Sequence, residues 1–239
     1  MSVAPQSIWC VVPAAGRGRR FGGDVPKQYQ SFGAAPLLLV TLRRLALHPS
    51  IAGLMVVLAQ DDAHWPKLGQ LNGKPVLTAE GGDERADSVL SGLRALRDSG
   101  AVGRDDWLLV HDAARPCFAY ADIDRLIELG SQHPYGALLA CPISDSLKRV
   151  VGERMLESHG AVSRDQLWRA QTPQMFRLTP LIENLMSALD ASTPDDRVTD
   201  EASAYEHHGC FPLVVQGSAS NIKVTTTDDL HMALRLVAD

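Results

Sequence analysis

Short apolar runs alternate with amphipathic stretches from one end of the chain to the other. Apolar runs rich in β-branched residues are typical of buried strands, and apolar residues at helical spacing are typical of helices packed on a sheet. Alternating strands and helices form βαβ units. We therefore expect an α/β fold with a Rossmann-like, mainly parallel twisted sheet and helices on both faces. The pattern predicts strands at 8–12, 54–58, 107–110, 137–140 and 211–215, and helices at 37–47, 84–96, 123–129 and 228–237.

Residues 141–168 break this alternation, because they are polar and strand-like in places, as at 147–151. Long excursions from an α/β core are usually functional or interfacial. The rest of the chain contains no repeat, low-complexity segment or linker. We expect a single domain over residues 1–239, with a protruding β-arm at about 141–168.

Composition excludes several classes of protein. With 45% hydrophobic and 21% charged residues, the 239-residue chain is neither collagen-like nor a charge-dominated disordered protein. It has no apolar run of the ~18 residues that a membrane helix needs. Its first arginines follow the first apolar stretch, the reverse of a secretory signal, so we expect a cytoplasmic protein without a membrane partner. The four cysteines are widely spaced, which disfavours a disulfide framework or a zinc site.

The net charge of −5 argues against a nucleic-acid partner, but the charge is unevenly distributed. Residues 14–44 carry a local charge of +5, which leaves −10 for the rest of the chain. A basic island in an acidic protein suggests a small anionic ligand. Its charged residues are Arg17, Arg19, Arg20, Asp24, Lys27, Arg43 and Arg44.

The segment after the first strand is built for close approach to phosphate. Ala14, Ala15, Gly16 and Gly18 are small enough for backbone N–H groups to reach a phosphate chain, and the neighbouring arginines would neutralise it. The segment lacks the Gly-Lys pair of a P-loop, and Phe21 occupies the sixth place of a dinucleotide fingerprint. Taken alone, it is equally compatible with a basic surface turn.

Further motifs give the chain a family resemblance. The string AAGxGxRF at 14–21 is followed by KQY at 27–29, as in the sugar-nucleotide pyrophosphorylase-like nucleotidyltransferases. Within that group the chain resembles the cytidylyltransferase family that acts on 2-C-methyl-D-erythritol 4-phosphate in non-mevalonate isoprenoid synthesis. The resemblance extends in order from residue 11 to about 230. Its other strings are GGDERADSV at 81–89, VHDAARP at 110–116, QTPQ at 171–174, TDEAS at 199–203 and NIKVT at 221–225.

The resemblance implies that CTP and the methylerythritol phosphate acceptor are joined, with release of pyrophosphate. The catalytic residues implied are Arg20, Lys27, Arg164 and Lys223. The nucleotide would be bound by Ala14, Ala15, Gly16, Gly18, Gly82, Asp83 and Ser88. The acceptor would be bound by Asp112, Arg115, Ser146, Arg164, Thr172, Thr199 and Lys223.

Most of these residues also have an ordinary structural interpretation. Asp83 precedes a predicted helix and would serve there as an acidic N-cap, and a lone lysine such as Lys223 is typical of a strand edge. Asp112 ends an apolar strand, where it is either a helix-starting carboxylate or a ligand for Mg²⁺ or another divalent cation bound to the triphosphate.

The resemblance also implies a homodimer formed through the arm, with Arg164 contributed across the interface. Two positions depart from the family pattern. Ser146 stands where the family usually has threonine, which preserves the hydroxyl, and Ser220 stands where aspartate is common.

Three alternative functions remain. A related enzyme of the same fold would use another acceptor, such as ribitol 5-phosphate. A Rossmann-type NAD oxidoreductase is disfavoured by Phe21 and by the arginines around it. A non-catalytic nucleotide sensor is disfavoured because every implied catalytic cation is present.

Overall fold

The computed structural model describes residues 7–16, 25–153, 155–191 and 198–238. The helices of this part of the chain include none that is long and apolar enough to cross a membrane. The strands are β1 (Ile8–Pro13), β2 (Ser31–Phe32), β3 (Ala35–Pro36), β4 (Ile51–Leu58), β5 (Gln70–Leu71), β6 (Lys74–Glu80), β7 (Trp107–Val110), β8 (Ala137–Pro142), β9 (Leu147–Val151), β10 (Glu157–Val162), β11 (Trp168–Arg177) and β12 (Leu213–Gln216). The helices are α1 (Leu37–Leu47), α2 (Arg85–Asp98), α3 (Tyr120–Gly130), α4 (Leu178–Ala191), α5 (Glu201–Glu206) and α6 (Thr227–Ala238), with a single 3₁₀ turn at Lys27–Tyr29.

Eight strands form one sheet in the order β12-β8-β11-β7-β1-β4-β6-β5. The four strands from β7 to β6 run parallel to one another. The α/β expectation is confirmed, and every strand and helix predicted from the apolar pattern is present. The sheet is mainly parallel as expected, with two antiparallel strands: β11 lies between β7 and β8, and the short β5 lies at the edge beside β6.

Strand β1 is buried on both faces and divides the core in two. Ile8, Cys10 and Val12 pack on one side of the sheet, in the cluster that also contains apolar residues of α1 and α3. Trp9 and Val11 point to the other side, towards α2 and α4. Side chains of a strand alternate between its faces, so helices must cover both sides of the sheet.

Helix α2 lies unusually close to the sheet at Gly92. A β-carbon at Gly92 would lie 2.4 Å from Cγ2 of Val57 and 3.0 Å from Cγ1 of Val11. Glycine therefore permits close helix–sheet packing there, despite the cost of about 1 kcal/mol of glycine within a helix. This packing positions α2, whose first residue, Arg85, belongs to the site described below.

The predicted β-arm is confirmed as an element outside the main sheet. Strands β9 and β10 pair antiparallel with each other and form a separate two-stranded sheet. Their residues are largely exposed. The arm leaves the core at the end of β8 and returns at the start of β11.

Candidate active site

The carboxyl ends of the parallel strands meet at a cleft of about 260 Å³. Ligand crevices of open α/β sheets occur at this edge. The cleft brings together nine residues that the motifs predicted, from five separated segments: Ala14, Ala15, Gly16, Lys27, Gly82, Asp83, Ser88, Asp112 and Lys223. Gly18 and Arg20 lie outside the described residues.

The segment after β1 is held against the sheet by its backbone. The Ala14 N–H donates to the Val57 carbonyl at 2.7 Å. The carboxamide of Gln28, which is buried, donates to the Ala14 carbonyl at 2.7 Å. Gln28 thus ties the 3₁₀ turn to the segment and places its neighbour Lys27 in the cleft, where Lys27 Nζ lies 3.4 Å from the Val224 carbonyl. The motif contained Gln28, but sequence reasoning gave it no role.

The turn between β6 and α2 packs tightly against this segment. The Gly81 N–H donates to the Leu58 carbonyl at 2.7 Å, and the Gly82 N–H donates to Oγ of Ser88 at 3.2 Å. The acidic N-cap expected at Asp83 is at Glu84 instead, whose N–H donates to the Asp87 carboxylate at 3.2 Å. Asp83 is therefore not used as the helix cap, and it lines the cleft.

Replacing Gly81 with alanine is expected to weaken nucleotide binding. The new β-carbon would lie 2.4 Å from Cβ of Ala15 and 2.8 Å from Oγ of Ser88, so the two segments that are predicted to bind the nucleotide must separate. Overpacking of this kind costs about 1–3 kcal/mol, so we expect the KM for CTP to rise about tenfold. Gly69→Ala is the matched control, because nothing lies within 4 Å of its added carbon. An unchanged KM for CTP in Gly81→Ala would contradict the prediction that this turn binds the nucleotide.

Asp112 lies at the centre of a cluster of cations. Its Oδ1 accepts from Nε of Arg85 at 2.9 Å, and its Oδ2 accepts from Nε of Arg115 at 3.2 Å and from Nζ of Lys223 at 3.0 Å. Burial favours the protonated acid, but the three cations outweigh it and hold the pKa of Asp112 well below its usual range. Asp112 is therefore ionised throughout the neutral range.

Arg85 extends this cluster to a second carboxylate, on helix α5. Its terminal nitrogens donate to Oε1 of Glu201 at 2.7 Å and to Oε2 at 3.2 Å. Glu201 is fully buried, and a buried carboxylate is costly unless it is paired in this way. Arg85 and Glu201 both lie inside motifs, but the contact between them spans 116 residues and no local pattern indicates it.

A chain of hydrogen bonds fixes the loop that carries Asp112. The Asp112 N–H donates to Oγ1 of Thr172 at 2.9 Å, and that hydroxyl lies 3.1 Å from Nδ1 of His111. Nε2 of His111 lies 2.9 Å from the Arg115 carbonyl. A carbonyl only accepts, so Nε2 carries the proton and the Thr172 hydroxyl donates to Nδ1. Thr172 is buried and positions Asp112; its contact with the acceptor stays a prediction.

His111 makes the fold sensitive to acid. Burial lowers the pKa of His111 from 6.5 to about 4, although the hydrogen bond from Nε2 to the Arg115 carbonyl acts in the opposite direction. Stability from this group is full above about pH 6.5 and is lost as the pH falls towards 4, a change on the order of 3 kcal/mol. Chemical denaturation of the wild type and of His111→Gln across this range measures it. We expect the difference between the two unfolding free energies to shrink as the pH falls; a constant difference would contradict it.

A protein-family model described as IspD, 2-C-methyl-D-erythritol 4-phosphate cytidylyltransferase, matches residues 8–238. The chain belongs to this cytidylyltransferase family. A relative of that name from Xanthomonas axonopodis pv. citri (strain 306) is 53% identical over 224 residues, or 94% of this chain and 82% of the relative. The family model, which matches residues 8–238, includes every segment that lines the cleft.

Solved structures of the cytidylyltransferase family share the fold. A crystal structure of 4-diphosphocytidyl-2C-methyl-D-erythritol synthase is 33% identical, with a TM-score of 0.82, and the alignment covers 99% of this chain and 100% of that one. The Francisella tularensis 2-C-methyl-D-erythritol 4-phosphate cytidylyltransferase is 31% identical, with a TM-score of 0.79 over 96% and 99% of the two chains. The predicted family and fold class are confirmed.

Three residues implied by the cytidylyltransferase family lie away from the cleft. Ser146 and Arg164 are exposed on the arm, where the Arg164 guanidinium donates to the Ser144 carbonyl. Thr199 is exposed before α5, and its N–H donates to Oγ of Ser203 at 3.1 Å. None of the three lines the cleft within the described part of its own chain. Their roles at the acceptor stay predictions.

Proposed function

We propose that this cleft transfers the cytidylyl group of CTP to 2-C-methyl-D-erythritol 4-phosphate, giving 4-diphosphocytidyl-2-C-methyl-D-erythritol and pyrophosphate. The observation that carries the proposal is the meeting of a close-packed glycine turn, two lysines and a cation-bound aspartate in one cleft. A small, polar turn suits a pyrimidine base. The cations suit two phosphate-bearing substrates, and family membership supports the choice of both.

The acceptor phosphate itself serves as the nucleophile. A phosphate monoester has a second pKa near ~6, so it is largely dianionic at neutral pH. One of its oxygens attacks the α-phosphorus of CTP, the bond from that phosphorus to the β-phosphate oxygen breaks, and pyrophosphate leaves with the electron pair. No proton has to be removed from the nucleophile. The histidine beside Asp112, with both ring nitrogens engaged, need not act as a general base.

The chain's contribution is positioning and charge stabilisation. Lys27 and Lys223 enter the cleft from separate segments and would bind the triphosphate and the acceptor phosphate respectively. Arg20, which lies outside the described residues, is proposed to act with Lys27 in the clamp on the developing charge. Preorganised cations act most strongly where negative charge develops in the transition state.

We further propose that Asp112 holds a divalent cation, Mg²⁺ in the first instance, when the triphosphate is bound. The Asp112 carboxylate fits such an ion. Its Oδ1 accepts one hydrogen bond, from Arg85, and the second lone pair of that oxygen can bind a cation. No group of three or more His, Cys, Asp or Glu side chains in the described segments could hold a metal alone. Phosphate oxygens of the substrate would complete the coordination, as is usual for Mg²⁺. The ion would neutralise charge on the triphosphate.

Removing divalent cations is therefore expected to abolish turnover. Enzyme and substrates stripped with a chelator should lose at least about 100-fold in rate, and added Mg²⁺ should restore it. Far-ultraviolet circular dichroism of the stripped enzyme serves as the control for folding. Full activity in metal-free buffer would contradict the assignment of Asp112 as a metal ligand.

We propose that the arm pairs two copies of the chain. It carries exposed apolar side chains, which are costly to leave in water and are typical of an interface. Pairing would also bring Arg164 and Ser146 to the cleft of the other copy. It would thereby account for the absence of these two residues from the lining of the cleft in their own chain. The exposed apolar residues are Val150, Val151, Met155, Leu156, Leu167 and Trp168.

Pyrophosphate release tests the proposed activity. We expect release only when CTP and 2-C-methyl-D-erythritol 4-phosphate are both present, and far faster release with CTP than with ATP or GTP. Ribitol 5-phosphate is tested in place of 2-C-methyl-D-erythritol 4-phosphate. Faster pyrophosphate release with ribitol 5-phosphate would identify a related enzyme with another acceptor. Binding of CTP without any release would identify a nucleotide sensor instead, and comparable turnover with ATP would contradict the assignment of the base pocket.

A further inference from the structure

Arg85 joins two parts of the cleft that are far apart in the sequence. It is the first residue of α2 and directly follows the turn at 81–84 that joins β6 to α2. Nε donates to Asp112 at 2.9 Å, and the two terminal nitrogens donate to Glu201 at 2.7 and 3.2 Å. Every guanidinium nitrogen is thus bound to a carboxylate. The two carboxylates are themselves buried, whereas a quarter of the Arg85 side chain, 26%, remains exposed to the cleft.

We propose that Arg85 is a positioning residue that fixes the orientation of the Asp112 carboxylate, and that Glu201 is the counter-charge that fixes Arg85. Arg85 acts through Asp112 and needs no contact with either substrate. The inference rests on the proposed cytidylyl transfer, because it concerns the acceptor half of that site.

The orientation of Asp112 decides which cations remain available to phosphate. With Oδ1 bound to Arg85, Oδ2 is the oxygen that faces Arg115 and Lys223. Without Arg85, both carboxylate oxygens are available to those two cations. A carboxylate that binds Lys223 through both oxygens competes more strongly with the acceptor phosphate for the same ammonium group. Arg85 therefore supports acceptor binding by limiting the hold of Asp112 on Lys223.

This arrangement requires an arginine. The guanidinium presents Nε and its terminal nitrogens in one rigid plane, so a single side chain can bind two carboxylates at once. A lysine ammonium is a point charge on a flexible chain and cannot reproduce both contacts. The fully buried Glu201 would take that single charge, since an unpaired buried carboxylate is the more costly outcome. Arg85→Lys thus keeps the charge and loses the orientation of Asp112.

A double-mutant cycle separates positioning from simple charge neutralisation. Arg85→Gln leaves Glu201 unpaired and should lower the thermal unfolding midpoint. Adding Glu201→Gln removes the buried charge and should restore the midpoint to within a few degrees of the wild type. The acceptor KM of the double variant should nevertheless stay about tenfold above the wild-type value, with the KM for CTP changed less than about threefold. Arg97→Gln is the control, because Arg97 lies on the same helix and its ion pair among the described residues is local, with Asp98.

Two results would overturn the proposal. Recovery of the acceptor KM together with the unfolding midpoint in the double variant would make Arg85 merely the counter-ion of Glu201. A wild-type acceptor KM in Arg85→Lys would mean that charge alone suffices, and this variant decides the matter if the double variant does not fold. Failure of the wild type itself to release pyrophosphate would count against the proposed function and not against the role of Arg85.

Discussion

Replacing Lys27 with alanine is expected to lower kcat by about 10²–10³-fold while raising the KM for CTP much less. The Lys27 ammonium group lies in the cleft, 3.4 Å from the Val224 carbonyl, and the neighbouring Gln28 ties its turn to the segment that follows β1. A cation held in place in this way is most effective when charge develops at the α-phosphorus. Steady-state kinetics with CTP as the varied substrate measures the two effects separately.

Lys67→Ala provides the matched control, because Lys67 is an exposed lysine outside the cleft. It should retain wild-type kcat and KM. A Lys27→Ala enzyme with near-normal kcat and weakened CTP binding would show that Lys27 holds only the ground-state triphosphate. The clamp would then have to be assigned to other cations.

Mixing two inactive variants is expected to restore activity if the site is shared between two copies. Lys27→Ala and Arg164→Ala damage residues that lie in the cleft and on the arm respectively. In a mixed dimer with Arg164 acting on its partner's cleft, one site carries both lesions and the other carries neither. Random exchange makes about half of the dimers mixed, so about a quarter of the wild-type activity should return.

The mixing experiment needs proof that subunits exchange. Two differently tagged copies of the wild type, mixed in the same way and purified through one tag, supply it. Each variant mixed with itself should remain inactive. If exchange is proven and no activity returns, Arg164 acts within its own chain, and the proposed sharing of sites through the arm is wrong.

The apolar pattern predicted the elements of the core well, because continuous runs such as β1 are buried on both faces. It failed where burial is polar or one-sided. Strand β11 was not predicted, since three of its buried residues are polar: Gln171, Thr172 and Gln174. Their side chains form hydrogen bonds with other segments of the chain. Strand β6 was not predicted either, because Val76 is its only buried residue and the strand shows no apolar run. Helix α4 was not predicted either, although its leucines have helical spacing.

The candidate site was predicted through motifs. Motifs show which residues belong to a site, but they do not show which of those side chains contact one another. They brought Asp112 and Lys223 into one proposal, and the structure places them 3.0 Å apart. They gave no indication that Arg85 spans Asp112 and Glu201, because such contacts depend on how separate loops meet. The single-domain organisation, the cytoplasmic location and the lack of a nucleic-acid partner stay predictions.

Oxygen-18 in the acceptor phosphate tests the proposed transfer most directly. Acceptor labelled in its three non-bridging phosphate oxygens is incubated with CTP, Mg²⁺ and the enzyme. The masses of both products are then measured by mass spectrometry. Attack by the acceptor phosphate on the α-phosphorus leaves every label in 4-diphosphocytidyl-2-C-methyl-D-erythritol and none in pyrophosphate. Label in pyrophosphate, or the absence of the labelled product, would contradict the proposed reaction.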